Sequence, residues 1–497
     1  MRHALYDAMS RPAATSARGR RHVGCRARAL AAASFMLALA LPQCMAAAEA
    51  AVPAKQAVAI TDVTVVDVRQ DRVSRPRTVI VDDGRITAIV TAQSDQVPDN
   101  ALRVDGHGRF LIPGLVDMHV HFFNLFSHRP PNDWTFPLYV ANGVTGVREM
   151  RGDAASMAQV VRWRKAVEAG ELIAPRILAA GIAVDGKSPG DAARDVDAAA
   201  VAGADFIKVF SEVPESRWRA ILEAARKRWL PVAGHAPAGL PLLAAADGGQ
   251  RSNEHLMQAY EACSSIEARL LAERQGLEGE ALNARRDAQE AQALAAFDRD
   301  ICRRVSKALA ATGQVQVPTL VLANEDVLQA GGPPSADPRW RYLRADEHTR
   351  WEQFLAGYTA DDAALAKQRW PVARQIVLAM HQARVPIMAG TDAPMPGVYP
   401  GFSLHEEMAM LVESGLSPSD ALRSATLAPA KFLGLAGAAG TVEVGMRADL
   451  VLLDADPTKD IRNTRRINAV LLDGRLLRRA DLDALLEGAA EKGAGSH

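Results

Sequence analysis

The sequence predicts an α/β protein: a (β/α)8 barrel of the TIM type with a small β-sandwich domain built from both ends of the chain. Three observations support this prediction. The chain has 497 residues, which is long enough for more than one domain. Short apolar runs alternate with helical stretches over about 300 residues, as in parallel α/β proteins. Segments rich in β-branched residues stand before and after that region.

The first 50 residues have the composition of a secretory signal peptide. Arginines precede the apolar run ALAAASFMLALALP, and small residues suited to cleavage after Ala48 or Ala50 follow it. The run is shorter than the roughly 20 residues that a membrane span needs. We therefore expect residues 1–50 to be a cleaved signal peptide and the mature protein to be periplasmic or secreted, without stable membrane insertion. The pair Arg20 and Arg21 leaves twin-arginine export open.

The charge balance and the cysteines bear on partners and compartment. Without residues 1–48 the chain keeps 51 basic and 57 acidic residues, a net charge near −6. This balance favours neither a nucleic acid nor an anionic membrane as partner. We expect a small-molecule substrate, and a homo-oligomer stays open. In an oxidising compartment, Cys263 and Cys302 could form a disulfide or remain two buried thiols.

Strand-like segments mark a small β domain at both ends of the mature chain. RTVIVDDGRITAIV near the start is punctuated by a DDGR turn, and INAVLLDGRLL near the end repeats its texture. We assign residues 51–112 and 435–485 to this discontinuous domain. Residues 113–434 would form the barrel, and residues 486–497 a flexible tail.

Eight apolar runs predict the barrel strands, and the ends of these runs predict the active site. The runs are LVDMHVH, VTGVREM, PRILAAG, DFIKVF, LPVAGHA, RSNEHL, VQVPTLVL and VPIMAGTD. In barrels of this type the active site lies at the C-terminal ends of the strands. Two long spacers, residues 257–313 and 323–372, could be substrate walls or helical decoration.

Polar side chains at these strand ends suggest a metal centre. His119 and His121 are one residue apart, so they point to the same side of a strand. Alone, such a pair could be metal ligands or core histidines. Four more polar groups end other runs: Lys208, His235, His255 and Asp392. Burying all of them without partners would be costly, so we expect them to share a metal centre. Taken by itself, Lys208 could instead pair with Asp392.

The motifs PGLVDMHVH, NGVTGVREM, GADFIKVF, GHAP, EHL, AGTDA, ALRSATLAPAKFLGL and GTVEVGMRADLVLLD occur in this order. Together they resemble the amidohydrolase superfamily, specifically its binuclear branch with prolidase-like and imidazolonepropionase-like members. The resemblance implies that His119, His121 and Asp392 hold one divalent metal ion and that His235 and His255 hold a second. It also implies that Lys208, carboxylated by CO2, bridges the two ions. Zinc is the expected metal, with manganese or cobalt as alternatives.

The resemblance also implies an activity. A hydroxide shared by the two ions would attack a carbonyl, and Asp392 would carry the proton to the leaving amine. We expect hydrolysis of C–N amide bonds, in dipeptides or N-acyl amino acids. The same centre could act on a lactone, a cyclic amide or a phosphoester. A binding protein that has lost its chemistry is disfavoured, because all six ligand positions are filled.

Two further residues are candidate substrate contacts. Arg148 ends the second run and could meet a substrate carboxylate, although a buried ion pair explains it equally well. His405 follows the eighth run at the start of a predicted helix. Asp117 is expected to support the ligands without binding metal itself.

Overall fold

The computed structural model describes residues 55–94, 96–123, 130–323 and 334–494. The predicted signal peptide, residues 1–50, lies outside these ranges. Within them, no helix combines the length and the hydrophobicity needed to cross a bilayer.

Both ends of the described chain contribute strands to one mixed sheet. Strands are numbered in chain order, and those of this sheet are β1 (Val58–Asp67), β2 (Arg72–Val73), β3 (Arg77–Asp82), β4 (Arg85–Thr91), β5 (Leu102–Asp105), β6 (Phe110–Pro113), β14 (Leu450–Leu453), β15 (Ile467–Leu472) and β16 (Arg475–Arg478). The main path runs β16-β15-β14-β6-β1-β3-β4, and β6 pairs antiparallel with β14. Ile86 of β4 and Leu476 of β16 share one hydrophobic core although their strands stand at opposite ends of the path. The sheet therefore folds back around that core.

Seven parallel strands and one irregular segment form the barrel. The strands are β7 (Leu115–Val120), β8 (Val144–Gly152), β9 (Arg176–Ala183), β10 (Phe206–Val209), β11 (Val232–Gly234), β12 (Ser252–Glu254) and β13 (Val315–Val317), hydrogen-bonded in this order. The eighth predicted run, residues 385–392, and Ala393 directly after it form a closing segment. This segment bridges both edges of the sheet, through Ile387 to Gln316 of β13 and through Ala393 to Val120 of β7. Asp392 in this closing segment has a left-handed φ of 69°, which interrupts a regular strand. The predicted α/β barrel is confirmed.

Helices surround the barrel. In chain order they are α1 (Phe136–Ala141), α2 (Ala154–Ala169), α3 (Pro189–Ala202), α4 (Glu215–Lys227), α5 (Leu242–Asp247), α6 (Ala259–Ala262), α7 (Glu267–Arg274), α8 (Gly279–Ala295), α9 (Arg299–Thr312), α10 (Leu320–Ala323), α11 (Ala345–Ala356), α12 (Ala360–Gln382), α13 (Phe402–Glu413), α14 (Pro418–Ser424), α15 (Leu427–Phe432) and α16 (Arg479–Ala494). Their ends follow ordinary capping rules. At the start of α2, for example, Asp153 accepts a hydrogen bond from the Ser156 N–H, and the helix ends at left-handed Gly170.

The first long spacer is a helical insertion, α6 to α9, between β12 and β13. Cys263, which follows α6, forms a disulfide with Cys302 of α9. Of the two possibilities that the sequence left open for these cysteines, the structure has the disulfide. The covalent link closes the insertion on itself.

The C-terminal residues correct one prediction. Residues 486–494 belong to helix α16, whereas the sequence predicted a flexible tail from residue 486. Leu482, Leu485 and Ala489 form a buried stripe at helical spacing. Ala489 packs in one cluster with Leu138 of α1 and with Tyr342. The alanines and glycines of this segment give it the composition of a linker. Residues this small also allow helices to pack closely.

Candidate metal centre

Two histidines and a carboxylate meet where β7 and the closing segment end. His119 lies in β7 and His121 directly follows it, while the backbone N–H of Asp392 donates to the His119 carbonyl at 2.7 Å. Asp392 Oδ1 lies 2.6 Å from His121 Nε2 and 3.1 Å from His119 Nε2. One ligand atom from each residue lies within 4.8 Å of the others, and all three residues are buried. We call His119, His121 and Asp392 the first ligand group.

The nitrogen atoms of this group fit a metal ion. His119 Nε2 and His121 Nδ1 are buried and have no hydrogen-bond partner. The 3.1 Å approach of His119 Nε2 to Asp392 lacks hydrogen-bond geometry and does not satisfy that nitrogen. Burial lowers the pKa of His121 to about 3, so its imidazole is neutral, as a ligand must be. Two neutral imidazoles beside a carboxylate are a donor set that zinc and similar divalent cations accept.

The other three predicted ligands line the same pocket. Lys208 lies in β10, His235 directly follows β11 and His255 directly follows β12. The ring centroid of His255 is 4.5 Å from that of His119 and 5.1 Å from that of His235. We call Lys208, His235 and His255 the second ligand group. Burial lowers the pKa of Lys208 to about 8, so part of its population is uncharged near neutral pH.

A buried chain of polar groups orients His119. Its Nδ1 atom lies 3.0 Å from Glu254 Oε2, and Arg148 Nη2 donates to both Glu254 oxygens at 2.9 Å. Burial alone would raise the pKa of Glu254, but Arg148 and His119 outweigh it and hold that pKa well below its usual range. A carboxylate bound to Nδ1 fixes the tautomer and aims Nε2 at the site.

Asp117 ties β7 to the closing segment. It accepts hydrogen bonds from the backbone N–H groups of His119 and Thr391, at 3.1 and 3.0 Å, and from Thr391 Oγ1 at 2.6 Å. Burial raises the pKa of Asp117 to about 7. Asp117 thus contacts the backbone that carries the first ligand group, which is where a supporting residue is needed.

The position of Arg148 argues against the predicted substrate contact. Its side chain is 1% exposed, and its nitrogen atoms bond to the Met118 carbonyl, Ser252 Oγ and Glu254. Arg148 is absent from the residues that line the pocket in the described part of the chain. Arg148 forms a buried ion pair with Glu254 inside the barrel, and this pairing accounts for an arginine at this position.

His405 is also placed away from the pocket. Its Nδ1 lies 2.9 Å from Thr464 Oγ1, and its Nε2 lies 3.0 Å from the Asn142 carbonyl. Burial lowers the pKa of His405 to about 4. Both ring nitrogens are therefore engaged in joining α13 to its neighbours, and the expected substrate contact is not supported.

The walls of the pocket contain residues that the sequence prediction did not name. Two are charged, Arg151 at the end of β8 and Glu212 after β10, and three are apolar: Phe210, Leu322 and Met395. The sequence signal for Arg151 is its place directly after the second apolar run, three residues beyond Arg148. No local pattern marked Glu212.

Comparison with known proteins places this arrangement in a family. The chain matches the amidohydrolase family over residues 110–477. A dihydroorotase of Ligilactobacillus salivarius (strain UCC118) is 43% identical over 44 residues, which is 9% of this chain and a tenth of the dihydroorotase.

Solved structures share the fold. A putative prolidase from Bifidobacterium longum is 23% identical, with a TM-score of 0.60 over 88% of this chain and 100% of that one. A Xaa-Pro dipeptidase with methionine in its active site is 20% identical, with a TM-score of 0.58 over 85% and 100%. A bottromycin amidohydrolase is 23% identical, with a TM-score of 0.63 over 87% and 90%. The sequence match covers most of the chain, and this protein belongs to the amidohydrolase family.

Proposed function

We propose that the protein is an exported, metal-dependent hydrolase of C–N amide bonds, acting on dipeptides or N-acyl amino acids. The observation that carries the proposal is the convergence of six metal-competent or ionisable side chains, from the ends of five barrel segments, on one pocket. Membership of the amidohydrolase family supports hydrolysis. The likeness to proteins described as a prolidase and a Xaa-Pro dipeptidase favours peptide-like substrates.

In this proposal the first ligand group would hold one divalent ion, and His235 and His255 would hold a second. Lys208 would bridge them as a carbamate anion, formed when its neutral amine adds to the carbon of CO2 and releases one proton to solvent. Zinc is the preferred ion, with manganese or cobalt as alternatives. When bound, such ions would polarise the scissile carbonyl and activate a water molecule as the nucleophile.

Protein groups would supply the remaining chemistry. The Asp392 carboxylate would take the proton of the attacking water and pass it to the departing amine, a general base and then a general acid. Glu254 Oε2, which lies 3.0 Å from His119 Nδ1, would hold the imidazole so that His119 Nε2 faces the reacting atoms. Phe210, Leu322 and Met395 would keep bulk water from the reacting bond.

Export is part of the same proposal. The basic and apolar N-terminal residues carry it, and the disulfide between Cys263 and Cys302 supports an oxidising compartment. N-terminal sequencing of protein recovered from the periplasm or medium tests it. A new N-terminus near residues 49–51 is expected, and recovery of uncleaved protein in the cytoplasm alone would refute export.

The decisive experiment is a hydrolysis screen of the mature protein loaded with zinc or manganese. Dipeptides, N-acyl amino acids, lactones and phosphotriesters are each offered with and without a chelator. Release of free amine that the chelator abolishes and added metal restores is expected. Turnover of lactones or phosphotriesters alone would keep the metal centre and overturn the amide-bond assignment.

A further inference from the structure

We propose that the pocket recognises both ends of a zwitterionic dipeptide, with Arg151 binding the terminal carboxylate and Glu212 binding the terminal ammonium. The inference rests on the proposed function. Within it, the inference selects the free dipeptide over the N-acyl amino acid as the substrate class. It is carried by two opposite charges in the wall of the pocket that holds both ligand groups.

The Phe210 ring lies close to the Arg151 guanidinium and also to Lys208 and His235 of the second ligand group. The Arg151 guanidinium carbon is 5.8 Å from the ring centroid of Phe210. The same centroid is 5.4 Å from Lys208 Nζ and 5.4 Å from the ring centroid of His235. The backbone N–H of Arg151 donates to Glu149 Oε1 at 2.7 Å, which fixes the start of the side chain. A planar guanidinium can bind a carboxylate through two parallel hydrogen bonds.

Glu212 is positioned by the helical insertion. Asn283 of α8 is almost fully buried, and its Nδ2 lies 3.4 Å from Glu212 Oε2. The neighbouring Ser211 Oγ donates to Asn283 Oδ1 at 3.1 Å. A contact from another element thus holds the carboxylate at the pocket wall. A carboxylate accepts charge-assisted hydrogen bonds from an ammonium group.

Arg151 and Glu212 place two opposite charges in the pocket wall, and the two ends of a short peptide carry the complementary charges. Arg151 comes from β8 and Glu212 from the segment after β10, so they approach the pocket from different strands. A dipeptide satisfies both, whereas an N-acyl amino acid has no ammonium and a dipeptide amide has no carboxylate. The N-acyl amino acid therefore lacks the contact to Glu212, and the dipeptide amide lacks the contact to Arg151. The loss of one such charged contact discriminates strongly between substrates.

The test compares three ligands that differ only at their ends: a free dipeptide, its C-terminal amide and its N-acetyl form. We expect Arg151→Gln to raise KM for the free dipeptide and the N-acetyl form on the order of 10- to 100-fold. The amide should change much less. Glu212→Gln should raise KM for the free dipeptide and the amide by a similar factor, and should leave the N-acetyl form nearly unchanged. Arg162→Gln and Glu223→Gln, exposed residues on α2 and α4, are matched controls.

A binding measurement separates this inference from the proposed function. Reduced-amide dipeptides, with CH2–NH in place of the scissile amide, are titrated into the metal-loaded protein by calorimetry with the same three choices of ends. Absence of hydrolysis in the wild type, together with the expected pattern of binding losses, would refute the proposed function and retain the inference. Equal losses for all three ligands in Arg151→Gln, or in Glu212→Gln, would overturn the inference even if amide hydrolysis is observed.

Discussion

The first ligand group is fixed by the barrel itself, whereas the second is backed by the helical insertion. Backbone hydrogen bonds across the barrel seam join His121 to Ala393 and Asp392 to His119. Behind the second group, Arg274 of α7 donates to the Ala238 carbonyl at 2.9 Å, and so reaches the loop that follows His235.

One buried network joins the insertion to the loops that follow His235 and His255. Gln258, in the loop after His255, donates to the carbonyls of Ala238 and Leu240 at 3.2 and 3.0 Å. Arg274 is 1% exposed and also contacts Glu261 at 2.9 Å. Hydrogen bonds of barrel closure thus tie the first group together, whereas part of the contacts behind the second group come from the inserted unit. The four predictions below test this difference, from the largest expected effect to the smallest.

The largest effect is expected at Asp392. Asp392→Asn removes both a predicted ligand of the first group and the proposed proton carrier, so kcat should fall by at least about 1,000-fold. Metal analysis should show a loss of metal from the first group and partial retention in the second. Asp361→Asn, at an exposed position in the first turn of α12, is the control. Activity within tenfold of wild type would contradict the proton-transfer role.

Lys208 tests the second group. Lys208→Ala should lower metal content and reduce activity by about 100-fold or more, because the bridging ligand is lost. Added acetate should restore part of both by standing in for the carboxylate. Lys227→Ala, on the surface of α4, should leave both unchanged. Unchanged metal content and full activity in Lys208→Ala would sink the bridging assignment.

Glu254 tests the support behind the first group. Glu254→Gln should weaken metal binding or activity by about 10- to 100-fold, because the hydrogen bond that orients His119 loses its charge. It should also lower the free energy of unfolding by about 3 kcal/mol, since buried Arg148 loses its charged partner. Chemical denaturation and metal titration measure the two effects separately. A matched change, Asp449→Asn, removes a partly buried carboxylate that pairs with Arg176 at the start of β9, the opposite end of the barrel from the metal centre, and should affect stability alone.

The smallest effect on activity is expected from the disulfide. Cys302→Ser should lower the free energy of unfolding by about 2–4 kcal/mol, because it frees a loop whose ends are 39 residues apart. Any loss of metal should fall on the second group, which the insertion backs. Metal competition at 25 °C and thermal unfolding, each with and without a thiol reductant, distinguish the two readouts. A loss confined to the first group would reverse the comparison.

The fold and the meeting of the six candidate ligands in one pocket could be predicted from sequence because they follow local rules. Each barrel strand is a short apolar run, and the chemistry of such barrels lies at the strand ends, so His119 and Asp392 were visible in the chain. Among the supporting residues, the sequence predicts Asp117 but not the pairing of Arg148 with Glu254. Arg148 and Glu254 are 106 residues apart, and only the packed barrel brings them together.

The choice of Arg148 over Arg151 shows a second limit. The apolar run suggested that the second strand ends at Met150, but β8 continues to Gly152. Arg148 consequently lies inside the barrel and Arg151 reaches the pocket. An error of two residues in a strand end thus exchanges a structural arginine for a pocket residue.

The pairing of β6 with β14 has a consequence for the order of events during synthesis. Pro113 pairs with Leu450, which is added to the chain 337 residues later. At about 5–20 residues per second, the ribosome needs roughly 20–70 s to supply the partner strand. During that interval the edge of β6 that later pairs with β14 has no strand beside it. A chaperone that covers this edge would protect the growing chain from pairing with other chains.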